Sequence, residues 1–445
     1  MYFLKKLIDL SDRLVRRYLP DAFLFAIILT FIVFFLGVVF TEHSPLQVIS
    51  FWGDGFWDLL DFAMQMALVV TTGYILANTK IVRKGLTKIS TLANTPTQAI
   101  LLVTFTSALA SWINYGFGLV VGALIAVYVV KRVPTVSFRL LVAGAYSGFL
   151  LWHGGLSASA PLLVATPGHF LDDTMGTIPV TETLFSPFNL FISFVLLITL
   201  PLLNWLLLKA RNPIEQAQDY SKLETAEYED EDDPEPEEKT PATRLENSQI
   251  ISLLIGIMGL LYIIYHFVNN GFDLNLNIVI FTFLFLGILL HRTPSRFLSS
   301  VKEAVKNTGG IIIQFPFYAG IMGMMVDSGL SEQMSLWFVN ISNEFTFPLF
   351  TFISAGIVNF FVPSGGGQWA VQGPVMIPAA LELGVDTAKT TMAVAWGDAW
   401  TNMIQPFWAL PMLAIAGLKV RDIMGFCAII LIYSFFPIAI GLLFF

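Results

Sequence analysis

Val362-Pro363-Ser364-Gly365-Gly366-Gly367-Gln368-Trp369, followed by Gln372, Gly373 and Pro374, interrupts an otherwise apolar stretch that runs from 345 to 381. Three consecutive glycines maintain a helix poorly, and they let backbone amides come close to a ligand. Asn359, Ser364, Gln368 and Gln372 surround them. Polarity at membrane depth survives only where protein or a water-filled cavity satisfies it. The stretch therefore reads as a hairpin: in along 345–362, a turn at 363–367, and back along 368–381. A plain tight turn is the competing reading. A nucleotide phosphate loop is excluded, because no Lys-Ser or Lys-Thr follows the glycines.

Outward from this stretch the chain has the composition of a membrane protein. Of its 445 residues, 56% are hydrophobic and only 13% charged. Apolar runs such as 22–40, 187–208 and 422–445 are each about long enough to cross a bilayer. A soluble enzyme with one small anchor is excluded, and so is a transmembrane barrel, whose mark is short alternating strands. The net charge of −8 is local: thirteen of 32 acids and three of 24 bases lie between 213 and 246, and the remainder is slightly basic. With no basic patch to offset that acidic block, nucleic acid is not a partner. Cys427, the single cysteine, reads as a small buried apolar side chain.

Lysines and arginines in short loops mark the cytoplasmic side. They cluster at 80–88, 131–139, 209–211, 292–306 and 419–421, while 41–61, 168–186, 269–275 and 327–344 carry acids and neither base. Residues 1–19 interleave Lys5, Lys6, Arg13, Arg16 and Arg17 with apolar groups, the pattern of a helix lying at the membrane surface. The expected division is this surface helix at 1–19, a first transmembrane repeat at 20–211, an acidic cytoplasmic linker at 212–246 and a second repeat at 247–445. The run 228–238, rich in Asp, Glu and Pro, buries too little apolar surface to order itself. The N-terminus and linker are placed in the cytoplasm and the C-terminus outside, with about nine full crossings and two hairpins.

Between the basic clusters at 80–88 and 131–139 the chain leaves the cytoplasmic side and returns through 97–112 and 117–130. Each leg is short of a crossing, and they turn at Asn114-Tyr115-Gly116. This hairpin enters from inside; the one at 363–367, with acidic flanks, enters from outside. Matches in the same order strengthen the symmetry: Gln65 with Gln314, Asn114 with Asn359, Ala143 with Ala395, and Pro161 with Pro406. The fold class expected is an all-α polytopic membrane protein of two inverted-topology repeats, each with a re-entrant hairpin and a discontinuous helix. Secondary transporters are built this way, with the site near the midplane where the repeats meet.

The discontinuous helices are read from Trp396-Gly397-Asp398-Ala399-Trp400-Thr401-Asn402, leading to Gln405-Pro406, and from Trp152-His153-Gly154-Gly155-Leu156-Ser157-Ala158-Ser159-Ala160-Pro161. An intramembrane aspartate costs roughly 2.5–3.5 kcal/mol on insertion scales and marks a functional site by default. Asp398 is thus the candidate for coupling to a proton or a sodium ion, with sodium placed near Asn359, Asp398 and Asn402. The alternative is that Asp398 caps a broken helix. His153 either relays protons or is a hydrogen-bonded structural histidine. The candidate substrate-binding residues are Asn114, Ser157 and Ser159 from the first half. Asn359, Ser364, Gly365, Gly366, Gly367, Gln368, Thr401 and Asn402 complete the set from the second. No HExxH pair, GxSxG elbow or His/Cys cluster provides machinery for catalysis, so an enzyme is not expected and no cofactor is called for.

The spans 97–130, 140–166, 308–326, 345–381 and 390–418 contain neither Lys nor Arg. A multiply charged anion would require cationic partners. A single carboxylate can instead be held by helix N-termini and neutral donors. Trp112, Trp152, Trp369, Trp396, Trp400 and Trp408 fall in these same segments and could wall an apolar pocket, or simply pack the bundle.

The stretches GDGFWDLLDFAMQMALVVTTGY (53–74), INYGFGLVVGA (113–123), LLVATPGH (162–169), QFPFYAGI (314–321), VPSGGGQWAVQGPVMIPAA (362–380) and QPFWALPMLAIAGL (405–418) resemble the bacterial short-chain fatty acid transporter family, within a superfamily of inverted-repeat ion transporters. The resemblance spans nearly the whole chain. It implies uptake of butyrate, acetoacetate or similar acids across the inner membrane by alternating access. The expected partners are that monocarboxylate, the lipid bilayer and a second copy in a homodimer. A passive channel for small monovalent anions is the alternative.

Overall fold

The computed structural model describes residues 22–209 and 240–445, and the regular elements within them are all helices. The surface helix expected over 1–19 and the acidic run 228–238 lie outside these residues. In chain order the first part holds α1 (Ala22–Phe40), α2 (Pro45–Gly55), α3 (Leu60–Ala77), α4 (Lys80–Ser90), α5 (Pro96–Ile113), α6 (Tyr115–Arg132), α7 (Phe138–Gly148), α8 (Ser159–Val164), α9 (Asp172–Met175) and α10 (Pro187–Lys209). The second holds α11 (Pro241–Glu246), α12 (Gln249–Asn270), α13 (Leu276–His291), α14 (Pro294–Ala304), α15 (Gly309–Asp327), α16 (Leu330–Ile341), α17 (Phe347–Val358), α18 (Gly365–Leu383), α19 (Thr387–Thr401), α20 (Ala409–Ala416) and α21 (Val420–Phe444). The short α11 lies inside the segment expected as a linker. Thr240 caps it by accepting from Thr243 N at 3.2 Å, with Pro241 in the first turn, so local capping suffices there without a buried face.

Among the described residues eight helices are long and apolar enough to cross a bilayer: α1, α3, α5, α6, α10, α12, α15 and α21. The outermost of them face lipid. Phe31 and Phe35 on α1, and Leu254 and Tyr265 on α12, are more than half exposed, a pattern that water would not tolerate over so large an area. The interior is made by α3, α6, α7, α15, α18 and α19, whose buried residues include Trp369, Trp396 and Tyr318. The nine full crossings expected from sequence are not all unbroken long helices, because several segments are divided into shorter ones around the centre.

Helices α5 and α6 form the first hairpin, and each is 18 residues long rather than short of a crossing. Their turn is a single residue. Asn114, in an extended conformation, closes α5 by donating its backbone N–H to Ala110 O at 3.0 Å, and opens α6 by accepting Phe117 N on Oδ1 at 2.9 Å. The legs approach closely because Gly118 lies on Ser111 and Gly122 on Ser107, where a Cβ would overlap the facing leg. The tip nevertheless does not reach a surface: Asn114 is fully buried, and Gly116 rests on Val70, well inside α3.

The second hairpin departs from its sequence reading. Helix α17 stops at Val358 and the turn occupies 359–364; Gly365, Gly366 and Gly367 form the first turn of α18, capped by Ser364 Oγ. Glycine is favoured here for lack of a side chain. A Cβ at 365 would overlap the His153 ring, at 366 would lie 2.7 Å from Phe62 Cζ, and at 367 would press on Tyr318. The bare helix end is thereby pushed into a wall of rings.

Both expected helix breaks are present. In the first half α7 passes into a 3-10 segment, Phe149–Gly154, then an irregular stretch before α8; in the second, α19 ends at Thr401 and regular helix resumes at Ala409. Gly118→Val should prevent the first hairpin from closing and lower stability by about 3 kcal/mol, the upper range for overpacking. Gly85→Ala on α4, with open space around it, should be neutral or gain about 0.5–1 kcal/mol. Melting temperatures of the purified variants in detergent test both.

Candidate functional site

The two breaks meet. Asp398, on the last turn of α19, faces His153 of the 3-10 segment, with Nε2 and Oδ2 3.1 Å apart and both side chains essentially inaccessible. With an ionised carboxylate the imidazole N–H is the donor. The same Oδ2 accepts from Asn402 Nδ2 at 3.1 Å. Isolating such a carboxylate in an apolar interior is costly unless partners are close.

Asn359, at the end of α17, ties the second hairpin to this break. Its Nδ2 donates to Asp398 O at 3.0 Å, to Thr401 Oγ1 at 3.0 Å and to Asn402 Oδ1 at 2.9 Å. The Thr401 hydroxyl in turn donates to Gly356 O at 2.9 Å, and Tyr146 O–H donates to Asn402 O at 2.7 Å. An amide nitrogen thus sits where three oxygens converge. A sodium ion would take those oxygens only after the Asn359 amide turned away. Among the described residues no group of three His, Cys, Asp or Glu side chains could hold a metal ion.

The first hairpin tip is joined to its own break in the matching way. Tyr115 N donates to Ser157 Oγ at 2.9 Å, and Leu156 N donates to Trp112 O at 2.7 Å. Gly155 must be glycine for this, because a Cβ would run into the Trp112 carbonyl. The two tips share α3 as a common wall: Tyr115 O–H reaches Met66 O at 3.4 Å, and a side chain at 366 would lie 3.2 Å from Met66 Sδ. The Tyr115 ring packs 4.7 Å from Trp152, whose ring lies 3.6 Å from that of His153. A continuous set of contacts therefore runs from Asn114 to Asp398.

Of the residues expected from sequence, Asn359, Asp398, Thr401 and Asn402 form one hydrogen-bonded unit, and Asn114 and Ser157 flank the tip of the other hairpin. Gly365 bridges the two by its contact with His153 and Trp152. Ser364 serves as the helix cap, and Gly366 and Gly367 provide the close approach. Gln368 turns instead into its own hairpin, donating to Ala355 O at 2.8 Å and to Gln372 Oε1 at 3.0 Å. Ser159 is buried at the start of α8. His153 as the partner of Asp398, and Tyr146 and Tyr115, are the residues that the sequence list lacked. Spacing could have found the first: Asn114 and Asn359, His153 and Asp398, and Ser157 and Asn402 are each 245 residues apart.

The chain matches the family described as short chain fatty acid transporter over residues 3–445. A relative in Escherichia coli (strain K12) that bears the provisional name of a short-chain fatty acid transporter is 45% identical over 430 residues, covering 97% of both chains. This chain belongs to the short chain fatty acid transporter family. A second member, in Haemophilus influenzae (strain ATCC 51907 / DSM 11121 / KW20 / Rd) and with the same provisional name, is 44% identical over 437 residues, again 97% of both chains. In fold, this family member is similar to the YdaH transporter of Alcanivorax borkumensis, whose crystal structure has an unusual topology. The TM-score is 0.60 at 14% identity, over 95% of this chain and 97% of that one.

Removing one partner of a buried pair strands the other charge. His153→Leu should therefore lower stability by about 3–5 kcal/mol, while the double variant His153→Leu with Asp398→Leu should be markedly more stable than the single. A double-mutant cycle on melting in detergent measures this, and additive losses would show that the two side chains do not interact.

Proposed function

We propose that this protein is a secondary active transporter that carries short-chain monocarboxylates, such as butyrate or acetoacetate, across the inner membrane. It works by alternating access between two inverted halves, residues 20–211 and 247–445, and is driven by a proton or sodium gradient through Asp398. The N-terminus and the 212–246 linker face the cytoplasm and the C-terminus lies outside. The observation that carries this reading is the buried His153–Asp398 contact, which joins equivalent positions of the two halves where both helices are broken.

Three features support it. Each hairpin tip is bonded to the break of its own half, Tyr115 to Ser157 and Asn359 to Asn402, so tip and break can move as one body. The α6 and α18 helices begin beside the central contact, and a helix N-terminus favours a carboxylate. The surrounding spans carry no Lys or Arg, which suits a substrate of one negative charge and not of several.

Coupling follows from electrostatics. An incoming carboxylate and an ionised Asp398 repel strongly in a low-dielectric interior, so the anion binds well only when a cation accompanies Asp398. That requirement links cation loading to substrate loading. A passive anion channel would lack it and would only equilibrate its substrate.

In liposomes, Asp398→Asn should abolish accumulation of labelled butyrate against its gradient while leaving the protein folded; undiminished gradient-driven uptake would remove Asp398 from the coupling role. Gly366→Leu should block binding by driving a side chain into Phe62 and Met66. Normal affinity in that variant would show that the hairpin tip is not part of the site.

A further inference from the structure

Unused hydrogen-bond capacity in the buried interior is distributed unevenly between the surroundings of the two hairpins. Around the second hairpin the described side-chain atoms without a partner include the acceptors Asn359 Oδ1, Gln368 Oε1 and Asp398 Oδ1; Trp369 Nε1 is the one donor among them. Around the first hairpin they include three N–H donors, Asn114 Nδ2, Trp152 Nε1 and Trp408 Nε1, with Ser111 Oγ and His153 Nδ1 beside them. The amide orientations are fixed by the bonds already made. Asn114 Oδ1 is occupied by Phe117 N, which leaves its nitrogen open, whereas the nitrogens of Asn359 and Gln368 are occupied, which leaves their oxygens open.

The two indoles belong to one cluster. The rings of Trp152 and Trp408 lie 6.1 Å apart, and both touch Tyr115, at 4.7 and 5.6 Å, and Phe149, at 5.4 and 5.9 Å. Tyr115 directly follows Asn114 at the start of α6. Trp152 meets the second hairpin with its benzo edge, toward Gly365. Trp396 donates to Asn189 Oδ1 at 3.0 Å and Trp400 to Leu431 O at 2.8 Å, while Trp52, Trp205 and Trp369 also leave an N–H open; what sets Trp152 and Trp408 apart is that they share one aromatic cluster beside Asn114. Buried Trp N–H groups ordinarily find a hydrogen-bond partner.

We propose that the N–H groups of Trp152 and Trp408, with the side-chain amide of Asn114, hold the carboxylate of the substrate, and that the Tyr115 and Phe149 rings take its short alkyl chain. The assignment rests on the monocarboxylate reading above. It answers how an anion is bound without Lys or Arg: three neutral donors on neighbouring residues are offered to a group with two oxygens and about four lone-pair sites. Neutral donors also let the anion leave, since no fixed positive charge retains it.

The test uses the full-length protein in liposomes, with counterflow of acetate, butyrate and hexanoate. Trp152→Phe and Trp408→Phe keep a ring and delete the N–H. Each should raise KM about tenfold or more, the loss expected for one hydrogen bond to a charged group, and by the same factor for all three acids. Trp205→Phe on α10, a remote indole that also lacks a hydrogen-bond partner and stands beside Lys209, should leave KM unchanged. Unaltered KM in both Trp152→Phe and Trp408→Phe, or a change that depends on chain length, overturns the assignment. On wild-type protein labelled with 15N in its indoles, two of the tryptophan N–H signals should move downfield on adding butyrate; no movement overturns it even if a variant fails to fold. Absence of any butyrate exchange by the wild type would instead remove the monocarboxylate reading itself.

Discussion

A carboxylate placed where water does not reach must be answered by groups of the same protein, and the residue Asp398 is held from three directions, two on its carboxyl group and one on its backbone. His153 and Asn402 meet its carboxyl oxygen and Asn359 meets its backbone carbonyl. These partners come from the 3-10 segment of the first half, the break after α19 and the end of α17. Holding this one buried residue therefore fixes the relative positions of both broken helices, through its carboxylate, and of one hairpin, through its backbone carbonyl. The surrounding architecture follows from the same demand, because helices that stop at membrane depth expose backbone groups that only protein can cover.

The two hairpins meet this demand in different ways. Asn114 is spent on its own turn, closing α5 and opening α6, and the legs lock together along Gly118 and Gly122. Asn359 occupies the corresponding place but reaches across to α19, leaving Ser364 to cap α18, five residues further on. The second hairpin consequently has a wider turn, and Gln368 and Gln372 bridge its legs by donating to Ala355 O and to Ser354 Oγ. A pair bridged by a few side-chain hydrogen bonds separates more readily than one whose backbones are in contact. The asymmetry leaves the second hairpin the less tightly closed of the two.

Most of the fold was legible in the sequence, because apolar length and glycine-proline interruptions are local signals. The runs at 22–40 and 187–208 became α1 and α10 almost residue for residue, and the breaks near 155 and 405 fall where glycines and prolines placed them. Local reasoning failed at Gly365 to Gly367. Intrinsic propensity argued against a helix there, and tertiary packing against His153, Phe62 and Tyr318 prevailed. The site was legible in part: Asn359, Asp398, Thr401 and Asn402 could be gathered because they are close in sequence. The pairing of His153 with Asp398 depends on how the halves meet, and the sequence carries it only as the offset of 245 residues shared with Asn114 and Asn359. Likewise, a tryptophan whose N–H is bonded cannot be told from one left open until the neighbours are in place.

The bare start of α18 also ties together the mutational fates of distant parts of the chain. Each glycine is matched to a particular ring or sulfur: 365 to His153 and Trp152, 366 to Phe62 and Met66, and 367 to Tyr318. A methyl group gained on one side has to be given back on the other. Second-site suppressors of a lesion in this triplet belong on α3, on α15 or beside residue 153, and family members that have lost one of the glycines should carry a smaller residue opposite it.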